Sequence, residues 1–242
     1  MAITTDTYWR SRHRRHNTSM RSVGCRVFRE KANEFVYRLV RERYEQVLDR
    51  LTLPASTQVL DAGAGTGEFI PVFLQRNWGV AAIDVSREAL HLLTDKHPSV
   101  RTEESDIIHM PFREKEFDIV HCFDVLYHIT EKKDWEASIR ALCRTSKKHV
   151  ILHGLFPRSV HGITPSHIQH KSYNEYAKIF HEEGFRETHS THTHIIGLKF
   201  PLYYIQNLFP RIFYCIDNNL HKIFSSKKGP TALHTIKVFT RT

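Results

Sequence analysis

Val59-Leu60-Asp61-Ala62-Gly63-Ala64-Gly65-Thr66-Gly67-Glu68-Phe69 reads as a buried strand, a glycine turn and the start of a helix. Val59 and Leu60 close a short apolar run that follows the polar Ser56-Thr57. Gly63, Gly65 and Gly67 alternate through the turn. Glycine tolerates positive φ and lets a ligand lie against the backbone. A helix beginning near Thr66 would aim its unpaired N–H groups into the same space.

The spacing is G-x-G-x-G, one residue shorter than the G-x-G-x-x-G of dinucleotide-binding turns, and an acid, Asp61, stands immediately before it. A carboxylate beside the cavity suits a ligand with ammonium or hydroxyl groups better than a pyrophosphate. Asp61-Ala62-Gly63-Ala64-Gly65-Thr66-Gly67 resembles the first motif of the class I S-adenosylmethionine-dependent methyltransferases.

Three further stretches follow in order. Gly79-Val80-Ala81-Ala82-Ile83-Asp84 is a second apolar strand ending in an acid, 23 positions after Asp61. A strand-terminal carboxylate can accept bonds from both hydroxyls of a ribose. Ser86 is positioned to cap the next helix, with Leu90, Leu92 and Leu93 on its inner face. Val100 to Glu104 predicts a third strand, followed by Ser105-Asp106-Ile107. A carboxylate such as Asp106 can only accept, which suits an exocyclic amine. Phe117 to Phe123 predicts a fourth strand, extended by Asp124-Val125-Leu126-Tyr127-His128-Ile129.

These stretches resemble the family's second to fourth motifs. The resemblance covers roughly residues 55–196 and the last strand. It implies a doubly wound, Rossmann-like α/β fold with a seven-stranded, mostly parallel sheet and helices on both faces. It implies S-adenosylmethionine as cofactor and S-adenosylhomocysteine as product. It also implies cofactor contacts from Asp61, Ala62, Gly63 and Gly65, from Asp84 and Val85, from Asp106 and Ile107, and from Phe123 and Asp124. In related small-molecule enzymes an N-terminal arm covers the cofactor, and Tyr8, Trp9 and Arg10 hold the matching place here.

The chain divides into four parts: an arm and helix (1–53), a core (54–196), a helical insert (197–230) and a last strand (231–242). Phe35, Leu39, Val40, Tyr44, Val47 and Leu51 recur at helical steps between Phe28 and Leu53, and Pro54 ends that helix. Val150-Ile151-Leu152 is the fifth strand, ending at His153-Gly154. Ser172 and Glu175 form a capping box for a helix that stops at Gly184. His189 to Ile196 is expected as the sixth strand and Thr235 to Thr240 as the seventh. In the insert, Pro201 and Pro210 open short helices. Ile212, Phe213, Ile216, Leu220, Ile223 and Phe224 form one apolar face, accompanied by Lys222, Lys227 and Lys228. That face suits a peripheral membrane contact, a lid over a greasy substrate, or packing on the domain edge.

Of 242 residues, 35 are Lys or Arg and 26 are Asp or Glu, a formal net charge of +9. Residues 1–29 hold seven Arg and one acid, and 197–242 seven Lys or Arg and one acid, so the middle carries −3. Basic ends attract phosphate-bearing partners or simply aid solubility. Four scattered cysteines make no disulfide framework and fit a reducing, cytoplasmic setting.

Of the 18 histidines, thirteen lie at or beyond His121. His192 and His194 share a strand face that His189 does not, and no cysteine or carboxylate stands at ligand spacing, so no metal site is expected there. Methyl transfer from a sulfonium is an in-line displacement that depends mainly on proximity and orientation. A hydroxyl acceptor benefits from a base, and His128 and His153 are the candidates by position. His161, His167 and His170 flank them in a loop. The leading expectation is methyl transfer to a small-molecule acceptor, on an oxygen of a metabolite, glycan precursor or lipid-like compound. A tRNA or rRNA methyltransferase and a catalytically inactive cofactor-binding regulator are the alternatives. Nucleic acid is disfavoured, because neither an RNA-binding module nor an asparagine-proline fourth motif is present.

Overall fold

The computed structural model describes residues 5–17, 19–25, 27–157, 167–194, 202–224 and 234–242. His161, Ile196, Pro201, Lys227 and Lys228 lie outside them, as do the side chains of Ile223 and Phe224. Seven strands form one sheet: β1 (Gln58–Ala62), β2 (Gly79–Asp84), β3 (Arg101–Glu104), β4 (Phe117–Phe123), β5 (Ser146–Leu155), β6 (Phe185–His192) and β7 (His234–Arg241). The spatial order is β3-β2-β1-β4-β5-β7-β6. The first five strands are parallel, and β7 runs antiparallel to both β5 and β6. The chain reverses its direction of winding between β1 and β4. That switch opens a crevice at the carboxyl ends of these strands, where ligands of open α/β sheets bind.

Alternation along the strands feeds two apolar layers. Leu60, Ile83, Val120, Cys122, Val150 and Leu152 pack on one face, with Trp135, Ile139 and Phe180. Val59, Ala82, Ile119, Phe123, Ile151 and Val238 pack on the other, with Tyr44, Ile70 and Phe73. A strand buried on both faces carries consecutive apolar residues, as Ile119-Val120 in β4 and Val150-Ile151-Leu152 in β5 do.

Among the described residues, eight α-helices surround the sheet: α1 (Thr5–His16), α2 (Glu30–Leu48), α3 (Ile70–Leu74), α4 (Arg87–Lys96), α5 (Lys132–Thr145), α6 (Tyr173–Glu182), α7 (Leu202–Leu208) and α8 (Pro210–Phe224). The Ser86 hydroxyl accepts from the Ala89 N–H and caps α4, whose buried residues are Ala89, Leu90 and Leu93, with Leu92 only half-buried. The Ser172–Glu175 capping box opens α6.

Several elements depart from the sequence expectation. No helix begins near Thr66; α3 starts at Ile70. Gly63, Gly65 and Gly67 have φ of 85°, 53° and 82°, in the left-handed region that an α-helix excludes. Helix α2 ends at Leu48 rather than running to Pro54. Its exit is tightened by bonds from the Arg50 N–H to the Val47 carbonyl and from the Leu51 N–H to the Leu48 carbonyl. The sixth strand starts at Phe185 and ends at His192, because it pairs along β7 from Arg241 back to Thr235. The stretch after β4 bends at Asp124 (φ 58°) into a 3₁₀ turn, Leu126–His128, instead of extending the strand.

The apolar face of α8 is also rotated from the expected one. Phe213 is buried, while Ile212 and Ile216 are 54% and 40% exposed. Polar contacts set that rotation. The Tyr214 hydroxyl donates to Glu42 of α2 at 2.6 and 2.7 Å, and Arg43 donates to Asn218 at 2.5 Å. Among the described residues, no helix is long and apolar enough to cross a membrane.

Candidate active site

A cavity of about 470 Å³ opens at the switch between β1 and β4. Asp61, Gly63, Gly65, Asp84, Val85, Asp106, Ile107, Phe123, Asp124 and His128 all line it. Three other predicted residues do not. Ala62 is packed in the apolar layer of the sheet. Tyr8 lies outside the wall, its ring stacked on His167 at 4.8 Å between centroids. His153 is buried behind Asp124, its Nδ1 2.7 Å from Asp124 Oδ2.

The glycine turn is held from behind. The Gly63 and Ala64 N–H groups donate to the Ile83 carbonyl at 2.8 and 2.9 Å, and the Gly65 N–H donates to Asp84 Oδ2 at 2.9 Å. Asp84 Oδ1 accepts from the Ser86 N–H at 2.8 Å. Both Asp84 oxygens thus hold backbone, each keeping acceptor capacity for a further donor. Burial raises the Asp84 carboxyl, and His13 nearby opposes that rise.

Asp61 is less supported. Its Oδ1 lies 3.5 Å from His121 Nε2, and its Oδ2 is buried with no hydrogen-bond partner. Burial, with the Asp84 charge close by, raises its carboxyl to about 8. His121 is pushed well below its ordinary value by burial and sits 3.8 Å from the Phe123 ring, centroid to centroid. An unpartnered acceptor in the wall of a largely apolar cavity fits a ligand that brings an ammonium group. Asp106, at the far end, holds His109 through its backbone N–H at 2.8 Å and its Nδ1 at 2.9 Å.

Helix α1 closes the crevice from outside, with Trp9 and His13 in the cavity wall. Two ion pairs tie it down: Arg10 to Glu104 at 2.8 Å and Arg14 to Glu88 at 2.6 Å. Arg12 donates to the Arg21 carbonyl at 2.8 Å and also to the Gly24 carbonyl. Much of the positive charge at the N-terminus is therefore spent within the chain. Trp9 meets His128 edge-on at 4.9 Å, and a Cβ on Gly65 would come within 2.8 Å of Val23 Cγ1.

His128 Nδ1 lies 3.0 Å from the His167 carbonyl. A carbonyl only accepts, so Nδ1 carries the hydrogen and the ring's acceptor is Nε2. Burial lowers His128 to about 4, which keeps it neutral at physiological pH. Burial would raise Asp124, but the neighbouring His153 holds it at about 2.

Sequence reasoning missed His13, Tyr37, Glu68, Phe69 and His121 in the cavity wall. His13 was legible: it lies one helical turn after Trp9, on the same face. Tyr37 and Phe69 read as ordinary core aromatics, since pattern alone does not separate a core ring from a cavity-facing one. His192 Nδ1 bonds the Thr235 hydroxyl and His194 Nδ1 that of Thr193, so these two histidines are held by neighbouring threonines.

Residues 59–149 match the methyltransferase-domain family model. This stretch is a class I S-adenosylmethionine-dependent methyltransferase domain. The domain is 30% identical over 102 residues to an uncharacterized methyltransferase of Exiguobacterium sibiricum, covering 42% of this chain and 47% of that protein. It is 34% identical over 89 residues to a malonyl-[acyl-carrier protein] O-methyltransferase of Pectobacterium atrosepticum, covering 37% and 33%. The chain thus spans about half or less of the length of these relatives. The magnesium protoporphyrin IX methyltransferase of Synechocystis PCC 6803, solved with bound S-adenosylmethionine, superposes with a TM-score of 0.64 at 17% identity, covering 100% of this chain and 99% of that one. At that identity the likeness shows a shared fold.

Proposed function

We propose that the chain is an S-adenosylmethionine-dependent methyltransferase acting on an oxygen of a small-molecule acceptor. The observation that carries this reading is the unpartnered Asp61 Oδ2 in a cavity that Asp84, Asp106 and the glycine turn also line. Asp61 would take the ammonium group, Asp84 the ribose hydroxyls and Asp106 the adenine amine. The bound cofactor supplies a methyl group already activated by a sulfonium, so the protein's task is to orient the acceptor and exclude water. Trp9, Tyr37, Phe69 and Phe123 provide an apolar enclosure for that.

His128 is the group proposed to receive the acceptor's proton. It is neutral, its tautomer is set by the His167 carbonyl, and it stands in the cavity wall. A hydroxyl is a poor nucleophile until its proton leaves, so a base contributes typically ~10²–10⁴-fold. Oxygen as the acceptor atom and a cytoplasmic setting belong to the same proposal; the free thiols of all four cysteines agree with a reducing compartment.

The test is methyl-labelled S-adenosylmethionine offered to panels of hydroxyl, carboxyl, amine and thiol compounds, with structured RNA as a separate arm. Label in a hydroxyl or carboxyl compound is expected. With a hydroxyl acceptor, His128→Ala should lower turnover by about 10²–10⁴-fold and leave cofactor affinity nearly unchanged, whereas a carboxylate, already ionised, needs no base. Label in RNA alone would replace this reading, and an unchanged turnover would remove His128 as the base.

A further inference from the structure

Behind the cavity wall, three strands bring together residues that are far apart in the sequence. Asp124 immediately follows β4, His153 lies near the end of β5, and His234 opens β7. In the β5–β7 ladder His153 faces Ile236 and His234 faces Leu155, so the two imidazoles are diagonal neighbours on one face. One ligand atom from each of Asp124, His153 and His234 lies within 4.8 Å of the others. The sequence reading named Asp124 and His153 for other roles, but not this grouping with His234, because ligand spacing was sought within one strand.

The hydrogen bonds around this group hold its side chains in place. The Thr193 hydroxyl lies 3.1 Å from His153 Nε2, 3.0 Å from His194 Nδ1 and 3.1 Å from the His234 carbonyl, which also accepts from the Thr193 N–H at 2.9 Å. His153 Nδ1 lies 2.7 Å from Asp124 Oδ2, a contact that a proton or a metal ion between them satisfies. His234 Nδ1 is buried with no hydrogen-bond partner, as is His194 Nε2.

We propose that Asp124, His153 and His234 form a binding site for a divalent transition-metal ion of the zinc class. Two imidazoles and one carboxylate select zinc, cobalt or ferrous iron over magnesium or calcium. Bond lengths of about 2.0–2.1 Å put tetrahedral ligand atoms about 3.3 Å apart, so metal binding would open the Asp124–His153 pair from 2.7 Å by side-chain rotation within a group already inside 4.8 Å. The outer partners that metal ligands need are in place. Thr193 orients His153 from its Nε2 side, and the Tyr127 hydroxyl donates to Asp124 Oδ1 at 3.2 Å. The Asp124 N–H donates to the His153 carbonyl at 3.0 Å and locks the two ligands together. Three protein ligands leave a coordination position for a further oxygen, and Asp124 also lines the cavity. That position suits the oxygen of an acceptor, a consequence that rests on the proposed function; metal binding itself does not.

The test uses the full chain without an affinity tag, stripped with chelator and titrated with Co²⁺ by visible absorption and with Zn²⁺ by calorimetry. One equivalent is expected to bind, with the visible bands of nitrogen- and oxygen-ligated Co²⁺. His153→Ala and His234→Ala should each weaken binding by more than ~100-fold, beyond the ~10–100-fold that loss of an outer partner costs. His181→Ala, at an exposed position of α6, should leave it unchanged. His234→Gln is the fallback if an alanine variant fails to fold by circular dichroism. Absence of saturable uptake, or equal affinity in a folded His234 variant, overturns the proposal. S-adenosylhomocysteine binding by the same wild-type sample is read separately, so a failed metal titration with intact nucleoside binding removes only this site.

Discussion

Asp61 enters the folded state with one carboxylate oxygen unpartnered and buried, an arrangement that costs free energy unless the group keeps a proton or gains a cation. Its folded value of about 8 lies above that of an unfolded chain, so the folded state holds the proton that the unfolded state releases. The stability this contributes is present below the unfolded value of about 4 and is lost as pH rises toward about 8. A ligand ammonium reverses the preference, because it favours the carboxylate. Calorimetry of S-adenosylhomocysteine binding near neutral pH, in buffers of different ionisation enthalpy, should therefore show net proton release. Asp61→Asn should abolish the release and flatten the wild-type loss of stability with pH. Equal proton release by the Asn variant would take Asp61 out of the ligand site.

The glycine turn and helix α1 act together. Gly65 has φ of 53°, and the space over its Cα is filled by Val23 at 2.8 Å from an ideal Cβ. Gly65→Ala should thus strain the turn and push back the segment that follows α1, costing about 1–3 kcal/mol in urea unfolding. Hydrogen exchange in α1 should rise in the same variant; an unchanged α1 would mean that the arm does not rest on the turn. Most elements of this kind were legible in the sequence. The strands β1, β2, β4 and β5 carry apolar runs followed by acids or polar turns, and the Ser172 capping box names its own helix. What was not legible came from tertiary contact. Three positive-φ glycines delay α3 to Ile70, the β7 partner sets where β6 ends, and Glu42 and Arg43 of α2 turn α8 so that Ile212 faces out. The site divides in the same way. Its acids follow from strand ends, while Tyr37, His121 and the Asp124–His153 pair needed the packed sheet.

At the scale of the molecule, a sheet with its winding switch between β1 and β4 gathers acids from three strand ends around one cavity, and a basic helix closes it through Arg10 and Arg14. Using arginines as internal fastenings accounts for part of the +9 charge without a nucleic-acid partner. The account stands on that cavity being a nucleoside site. Calorimetric titration of the folded wild-type chain with S-adenosylhomocysteine tests it most directly. One site per chain is predicted, weakened by roughly 2–4 kcal/mol in Asp84→Ala through the loss of two charge-assisted hydrogen bonds. Absence of measurable binding to the folded wild-type chain would contradict the account.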